Sequence, residues 1–280
     1  MEELKLFSKN IFSQNGEDGV IEELLSRLNK AGVVLDKWCC EFGAWDGVHL
    51  SNTCNLIRNH NYSAVLIEGD QVKVDLLNSN FPQPSVIKIC KFVHFEGETL
   101  ENILALTPII CDFDFLSIDI DGVDYFIFES LYIYKPKIIC IEFNQTIPNS
   151  VDFVQQKSFS VKQGSSALAI SRLAASKGYQ VVFATNSNLI LVRNDLVKFV
   201  IDSVPSLVEL NPAGNNPQYI FVGYDGTILS NKSEINLVWH GLIVDINKIQ
   251  YLPTFLRKFD YGIFSKVILR IYLFLKNTFY

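Results

Sequence analysis

Three aspartates, Asp119, Asp121 and Asp124, interrupt the otherwise apolar run FLSIDIDGVDYF at 115–126. An ionised carboxylate withdrawn from water is costly unless something compensates it. Three roles meet that demand for Asp119 and Asp121. One carboxylate can act as general base, taking the proton of an acceptor hydroxyl as its oxygen attacks an electrophile, a contribution of about 10²–10⁴-fold. Together with Glu142 from the later IEFN, the pair can offer oxygens to Mg²⁺, which lowers the pKa of a bound hydroxyl and orients a diol. Alternatively, Asp121-Gly122 makes a turn and Asp124 caps the helix YFIFESL. Turn and cap suit Asp124, a chemical role suits Asp119, and Asp121 stays open between them.

Other polar residues close apolar runs in the same way. EFGAWDG carries Glu41, Gly43 and Gly47, VLIEGD ends in Glu68-Gly69-Asp70, and IEFN delivers Glu142 and Asn144. The glycine loop differs from a dinucleotide fingerprint, because Glu41 precedes its first glycine and would repel a pyrophosphate. A ligand with positive charge and hydroxyls is not repelled. Glu68 lies 21 residues beyond Gly47, where an acid ending a second strand accepts the hydroxyl protons of a ribose. A phosphate-free adenosine with a cationic centre fits, and S-adenosylmethionine is such a molecule. A plain strand-to-helix turn is the structural alternative for the loop. His49, in GVHLSN, is a second candidate proton acceptor beside the loop, with an ordinary structural histidine as the alternative. Ser51 and Asn52 can cap the helix that follows.

The elements that would position these residues alternate. SQNGEDGVIEELLSRLNKAG reads as a helix capped by Ser13 or Asn15, with Glu17 and Asp18 in its first turn and Gly32 past its end. WCCEF, SAVLIEGD, PSVIKICKFV, FDFLSIDID and PKIICIEFN read as buried strands. Helices are expected over 51–60, VDLLNSNF, 98–106 and 165–177. YQVVFAT and NLILVRN, joined by Asn186-Ser187-Asn188, form an antiparallel edge hairpin. The pattern predicts an α/β fold, a doubly wound and mainly parallel sheet with helices on both faces. Ligands of such sheets lie beyond the carboxyl ends of the strands, where the polar residues gather.

The blocks SQNGEDG, EFGAWDGVHLSNT, VLIEGD, LSIDIDGVDY, IEFN and KGYQVVFATNSNLILVRND together resemble the FkbM-type branch of class I S-adenosylmethionine-dependent methyltransferases, over about 12–195. The resemblance implies a Rossmann-like seven-stranded sheet and O-methylation, often of a sugar hydroxyl on a glycan or glycosylated metabolite. It would lay Glu41, Gly43 and Gly47 along the methionine part of the cofactor, Glu68 on the ribose, and Asp119 where cofactor and acceptor meet. SQNGED would fold over the cofactor as a lid. The D-x-D-G-x-D form here departs from the D-x-E-G-x-E commoner in that family.

The 280 residues are 49% hydrophobic and 19% charged, a globular composition. A net charge of −6 argues against a generic nucleic-acid binder. Residues 256–280 hold five cations against Asp260, net +4, leaving −10 on the remainder. That tail, with its large apolar side chains, is too short in its uncharged runs to span a membrane. It reads as an in-plane amphipathic helix or as one packed on the body or a second subunit. Expected divisions are a methyltransferase domain over 1–210, a strand-rich extension over 211–250 and the tail over 251–280. Six scattered cysteines without zinc spacing read as reduced thiols, and MEELKLFSKN lacks the pattern of a secretory signal. A cytoplasmic enzyme, on the inner membrane face if the tail docks there, and a sugar-containing acceptor are the expectation. The rivals are a nucleotide-sugar glycosyltransferase using Asp119-Ile120-Asp121 as a metal site, and a non-catalytic scaffold.

Overall fold

A computed structural model describes residues 3–211, 214 and 216–279. The chain divides into two compact units, Met1–Asn216 and Pro217–Tyr280. Residues 212, 213 and 215 of the expected NPAGNNP boundary lie outside the described residues.

In the first unit, apolar runs of four to six residues form seven strands: β1 (Trp38–Phe42), β2 (Ser63–Glu68), β3 (Val86–Cys90), β4 (Phe115–Ile118), β5 (Ile138–Glu142), β6 (Tyr179–Ala184) and β7 (Asn188–Arg193). Their order across the sheet is β3-β2-β1-β4-β5-β7-β6, parallel except for β7, which runs antiparallel to both β5 and β6. Winding leaves β1 toward β2 and β3 on one side and resumes at β4 on the other. The reversal opens a crevice beyond the carboxyl ends of β1 and β4. This is the mainly parallel Rossmann-like sheet with an antiparallel edge hairpin that the sequence predicts.

The central strands β1, β2, β4, β5 and β7 bury both faces, so side chains of period two feed two cores. Cys40, Phe42, Ile67, Leu116 and Ile141 face one core with α4 (Leu100–Leu104), α5 (Asp124–Glu129) and α6 (Ala167–Ser176). Cys39, Leu66, Phe115 and Cys140 face the other with α1 (Glu17–Lys30), α2 (Cys54–His60) and α3 (Gln71–Asn80). By the same alternation Glu41, Asp119 and Glu142 project from the second face. The short helices α7 (Val197–Val200) and α8 (Leu207–Leu210) follow the hairpin.

Several helix starts differ from expectation, and acids are the reason. Neither Ser13 nor Asn15 is the N-cap of α1; that position falls to Gly16 in the left-handed region. The Asp18 carboxylate draws the preceding chain inward, accepting the N–H groups of Ile11, Phe12 and Ser13. The helix expected from Ser51 begins at Cys54: Ser51, Asn52 and Thr53 donate to Glu41, while the Ser51 hydroxyl accepts the Cys54 N–H at 3.1 Å in a capping role. Asp124 does not cap α5 from outside but sits within it, its carboxylate accepting N–H groups of Ile120 and Gly122. It holds the turn that carries Asp121.

The second unit contains two strand pairs, β8 (Ile220–Val222) with β9 (Ile228–Ser230) and β10 (Glu234–Leu237) with β11 (Leu242–Asp245), and a terminal helix, α9 (Ile263–Phe279). Among the described residues, no helix is long and apolar enough to cross a membrane.

Candidate active site

Glu41, near the end of β1, is 4% exposed and spends its carboxylate on the chain itself. It accepts hydrogen bonds from the Ser51 hydroxyl at 2.6 Å, the Thr53 hydroxyl at 2.7 Å and the Asn52 N–H at 2.9 Å. Burial raises its pKa, and these donors oppose the rise. Asn52 in turn donates to the Ser117 hydroxyl at 3.1 Å, tying the loop after β1 to β4. Glu41 does not line the neighbouring cavity. It positions the loop.

The glycines divide by function. A Cβ on Gly43 would stand 2.1 Å from the Asp119 carbonyl oxygen, and its φ of +73° is left-handed. Glycine therefore lets the β1 loop cross the end of β4 in contact with it. Gly47 serves packing: its Cβ would meet the Phe81 ring at 2.6 Å and Leu77 at 2.7 Å. Gly47 is not a lining residue of the cavity. Gly69 clears space for the Phe92 ring, which a Cβ would approach to 2.4 Å.

A cavity of about 450 Å³ lies over the carboxyl ends of β1 to β4. Phe42 and Gly43 border it from β1, Ile67 and Glu68 from β2, Phe92 and His94 from the segment after β3, and Ile120 from the turn after β4. Phe159 and Lys162 close it from the 144–166 loop. The lining is mostly apolar, with one carboxylate at its edge. Glu68 accepts the Trp45 N–H on one oxygen and the Asp70 N–H on the other, both at 2.9 Å. Each carboxylate oxygen offers two lone pairs, so one acceptor site per oxygen remains. The neighbouring cations are partly committed: Lys91 pairs with Glu98 at 2.5 Å, and Lys162 donates to the Ile120 carbonyl at 3.1 Å.

Next to Ile120 but not among the residues that line the cavity, Asp119, Asp121 and Glu142 form a rim of acids at the strand ends, each bringing a carboxylate oxygen to within 4.8 Å of the others. Strand β4 delivers Asp119, β5 delivers Glu142, and Asp121 enters on a left-handed turn residue at φ +56°. For an aspartate that conformation is sparsely populated, and here the two N–H bonds to Asp124 hold it. Burial, then the charges of Asp124, Asp121 and Glu41, raise the Asp119 pKa. Burial, then Asp119, Asp124 and Asp121, raise that of Glu142, opposed by Lys162. The cluster thus holds a proton at pH values where isolated carboxylates have lost theirs.

His49 falls outside this arrangement. It is exposed, its ring lies edge-on to Trp45 at 6.0 Å, and it does not line the cavity. The SQNGED segment does not cover the cavity either. Glu17 accepts from the Thr185 hydroxyl at 2.8 Å and the Asn188 amide at 3.1 Å, and Asn15 donates to Ser187 at 3.2 Å. These bonds fasten it to the hairpin between β6 and β7. The residues that sequence reasoning missed are Phe92, His94, Phe159 and Lys162. Extending the strand-end rule to β3 would have reached KFVHF. No comparable signal marks Phe159 or Lys162, which a long loop brings back.

No protein-family profile and no curated protein sequence matches the chain. Among solved structures, the citrinin polyketide synthase CMeT domain shares 8% identity, covering 66% of this chain and 55% of that one, with a TM-score of 0.41. TrmK of M. capricolum, in complex with S-adenosyl-homocysteine, shares 15% over 59% and 66%, at 0.34. A SAM-dependent methyltransferase from Aquifex aeolicus shares 11% over 61% and 88%, at 0.35. Likenesses this distant leave function to be argued from the site.

Proposed function

We propose that the protein is an S-adenosylmethionine-dependent O-methyltransferase acting on a hydroxyl of a sugar-containing acceptor. The observation that carries this reading is Glu68 at the edge of an apolar cavity over the sheet's reversal point, with a free acceptor site on each oxygen. That cavity has a volume within the range of small-ligand sites. Phe92 and the Phe159 ring, whose one face is stacked on Phe95 at 4.9 Å, offer aromatic surface to a flat heterocycle, and Glu68 offers its oxygens to two vicinal hydroxyls. The nucleotide-sugar rival leaves Glu68, the carboxylate in the cavity lining, without a role.

The cofactor supplies an electrophilic methyl on a sulfonium. Gly43 brings the β1 loop against the Asp119 backbone, and a cation bound beside the acids favours their ionised form. Asp119 then accepts the acceptor hydroxyl's proton, while Asp121 and Glu142 accept hydrogen bonds from neighbouring hydroxyls. A polyol acceptor, rich in donors and without negative charge at this point, suits such a rim. Thermal shift with S-adenosylhomocysteine tests the cofactor half: stabilisation in proportion to ligand concentration supports it, and no shift at millimolar ligand refutes it.

A second reading has an observation of its own, the convergence of Asp119, Asp121 and Glu142. Two oxygens on one Mg²⁺ at 2.0–2.1 Å stand at most about 4.2 Å apart, close to the 4.8 Å within which the three lie. Bound there, Mg²⁺ would lower the acceptor hydroxyl's pKa. Turnover that survives chelation assigns the rim to proton transfer; turnover restored only by Mg²⁺ assigns it to the metal.

A further inference from the structure

We infer that α9 is a docking surface for an anionic lipid bilayer, on which it lies in the membrane plane. This inference is independent of the reaction proposed above.

The helix is apolar on two faces. Ile268, Leu269, Tyr272 and Leu273 are half-buried, and the Tyr272 hydroxyl donates to the Tyr251 carbonyl at 2.8 Å, so one face packs within its own unit. Ile263, Phe264, Val267, Ile271 and Leu275 lie on the other side and are 49–86% exposed. At 100° per residue these five fall within an arc of about 120°, the width of a core-facing stripe. A stripe of that size in water is the mark of a surface made to be covered.

Charge selects the cover. The segment IFSKVILRIYLFLKNTF contains no acid. Lys266 and Arg270, one turn apart and exposed, flank the stripe along one edge, and no described acid pairs with either. A second α9 would bring cations against cations. An anionic bilayer supplies acyl chains for the stripe and phosphates for the cations. The helix cannot span the bilayer, which leaves the in-plane orientation.

The test is flotation of the full chain with vesicles of phosphatidylcholine alone and with about a third phosphatidylserine. Binding to the anionic vesicles only, weakened by high salt, is expected. Lys266→Gln with Arg270→Gln should reduce it by roughly 30-fold, at one screened phosphate attraction per cation. Val267→Asp with Ile271→Asp should abolish it; both positions are half exposed, so the fold tolerates the change, and unchanged circular dichroism checks this. Equal binding to both vesicle types, or no flotation, overturns the inference. So does a concentration-dependent dimer that the Asp pair dissolves in the absence of flotation, which would assign the stripe to a second copy.

Discussion

The Asp119 carbonyl oxygen occupies the space beside Gly43 so closely that a Cβ there would stand 2.1 Å away. Two loops, one from β1 and one from β4, thus meet without an intervening side chain at the sheet's reversal point. Gly43→Ala has to displace the backbone of β4 and also hold a left-handed φ, which alone costs about 1–2 kcal/mol. It should abolish measurable cofactor binding and lower the melting temperature. Calorimetric titration of the folded variant checks this; wild-type affinity would show that the contact is incidental.

Glu68 has a narrower role. If Glu68 binds the ribose as proposed, Glu68→Ala removes two charged hydrogen bonds to it, each of the kind worth about 1.5–3 kcal/mol. Because the Trp45 and Asp70 N–H groups can turn to water, the net loss should be roughly 10–100-fold in cofactor affinity. The titration that measures it should show little change in turnover at saturating cofactor.

Glu41, by contrast, should matter to stability. Its removal strands the Ser51 and Thr53 hydroxyls and the Asn52 N–H in a buried site. Glu41→Ala should cost on the order of 3 kcal/mol, seen as a fall in urea midpoint with unchanged slope. A fall smaller than that of Glu68→Ala would contradict the assignment of Glu41 as the loop's anchor.

These contrasts mark what the sequence could and could not reveal. Buried strands announce themselves by apolar runs, and WCCEF, SAVLIE and IICIE stand where they were expected. Acids at strand ends were equally visible, but their partners were not. Nothing in EFGAWDG tells that Glu41 turns inward to Ser51 and Thr53 while Glu68 keeps lone pairs free. That difference depends on which face each residue takes and on how the next loop folds back. For the same reason His49, close in sequence to the glycine loop, misses the cavity, and His94 and Phe159 reach it. The α1 start was displaced because Asp18 captures three N–H groups upstream, a tertiary choice that overrides the local capping preference of Ser13 and Asn15.

The rim acids make the pH dependence distinctive. A carboxyl whose folded pKa is raised binds its proton more tightly in the native state. Its stabilising effect is present at low pH and is lost as pH rises through the folded value. The ligand-free protein should therefore lose stability from the ordinary carboxylate range upward, and Glu142→Gln should flatten that slope. Turnover runs the other way, since Asp119 acts ionised. Its rising limb should lie above the ordinary carboxylate range, and Asp121→Asn should move it to lower pH by removing a like charge. Asp119→Asn should depress turnover by about 10²–10⁴-fold while sparing cofactor binding. Rate profiles of the wild type, Asp121→Asn and Asp119→Asn read these outcomes, and an unshifted limb in Asp121→Asn would sever Asp121 from Asp119.

The most direct measurement is calorimetric titration of the full chain with S-adenosylmethionine and S-adenosylhomocysteine, in two buffers of different ionisation enthalpy. Saturable one-to-one binding is predicted for both, weakened in Glu68→Ala, with proton release on the sulfonium alone as the rim acids ionise. No heat from either ligand, or an affinity indifferent to Glu68, would contradict the assignment of this cavity to a phosphate-free adenosine.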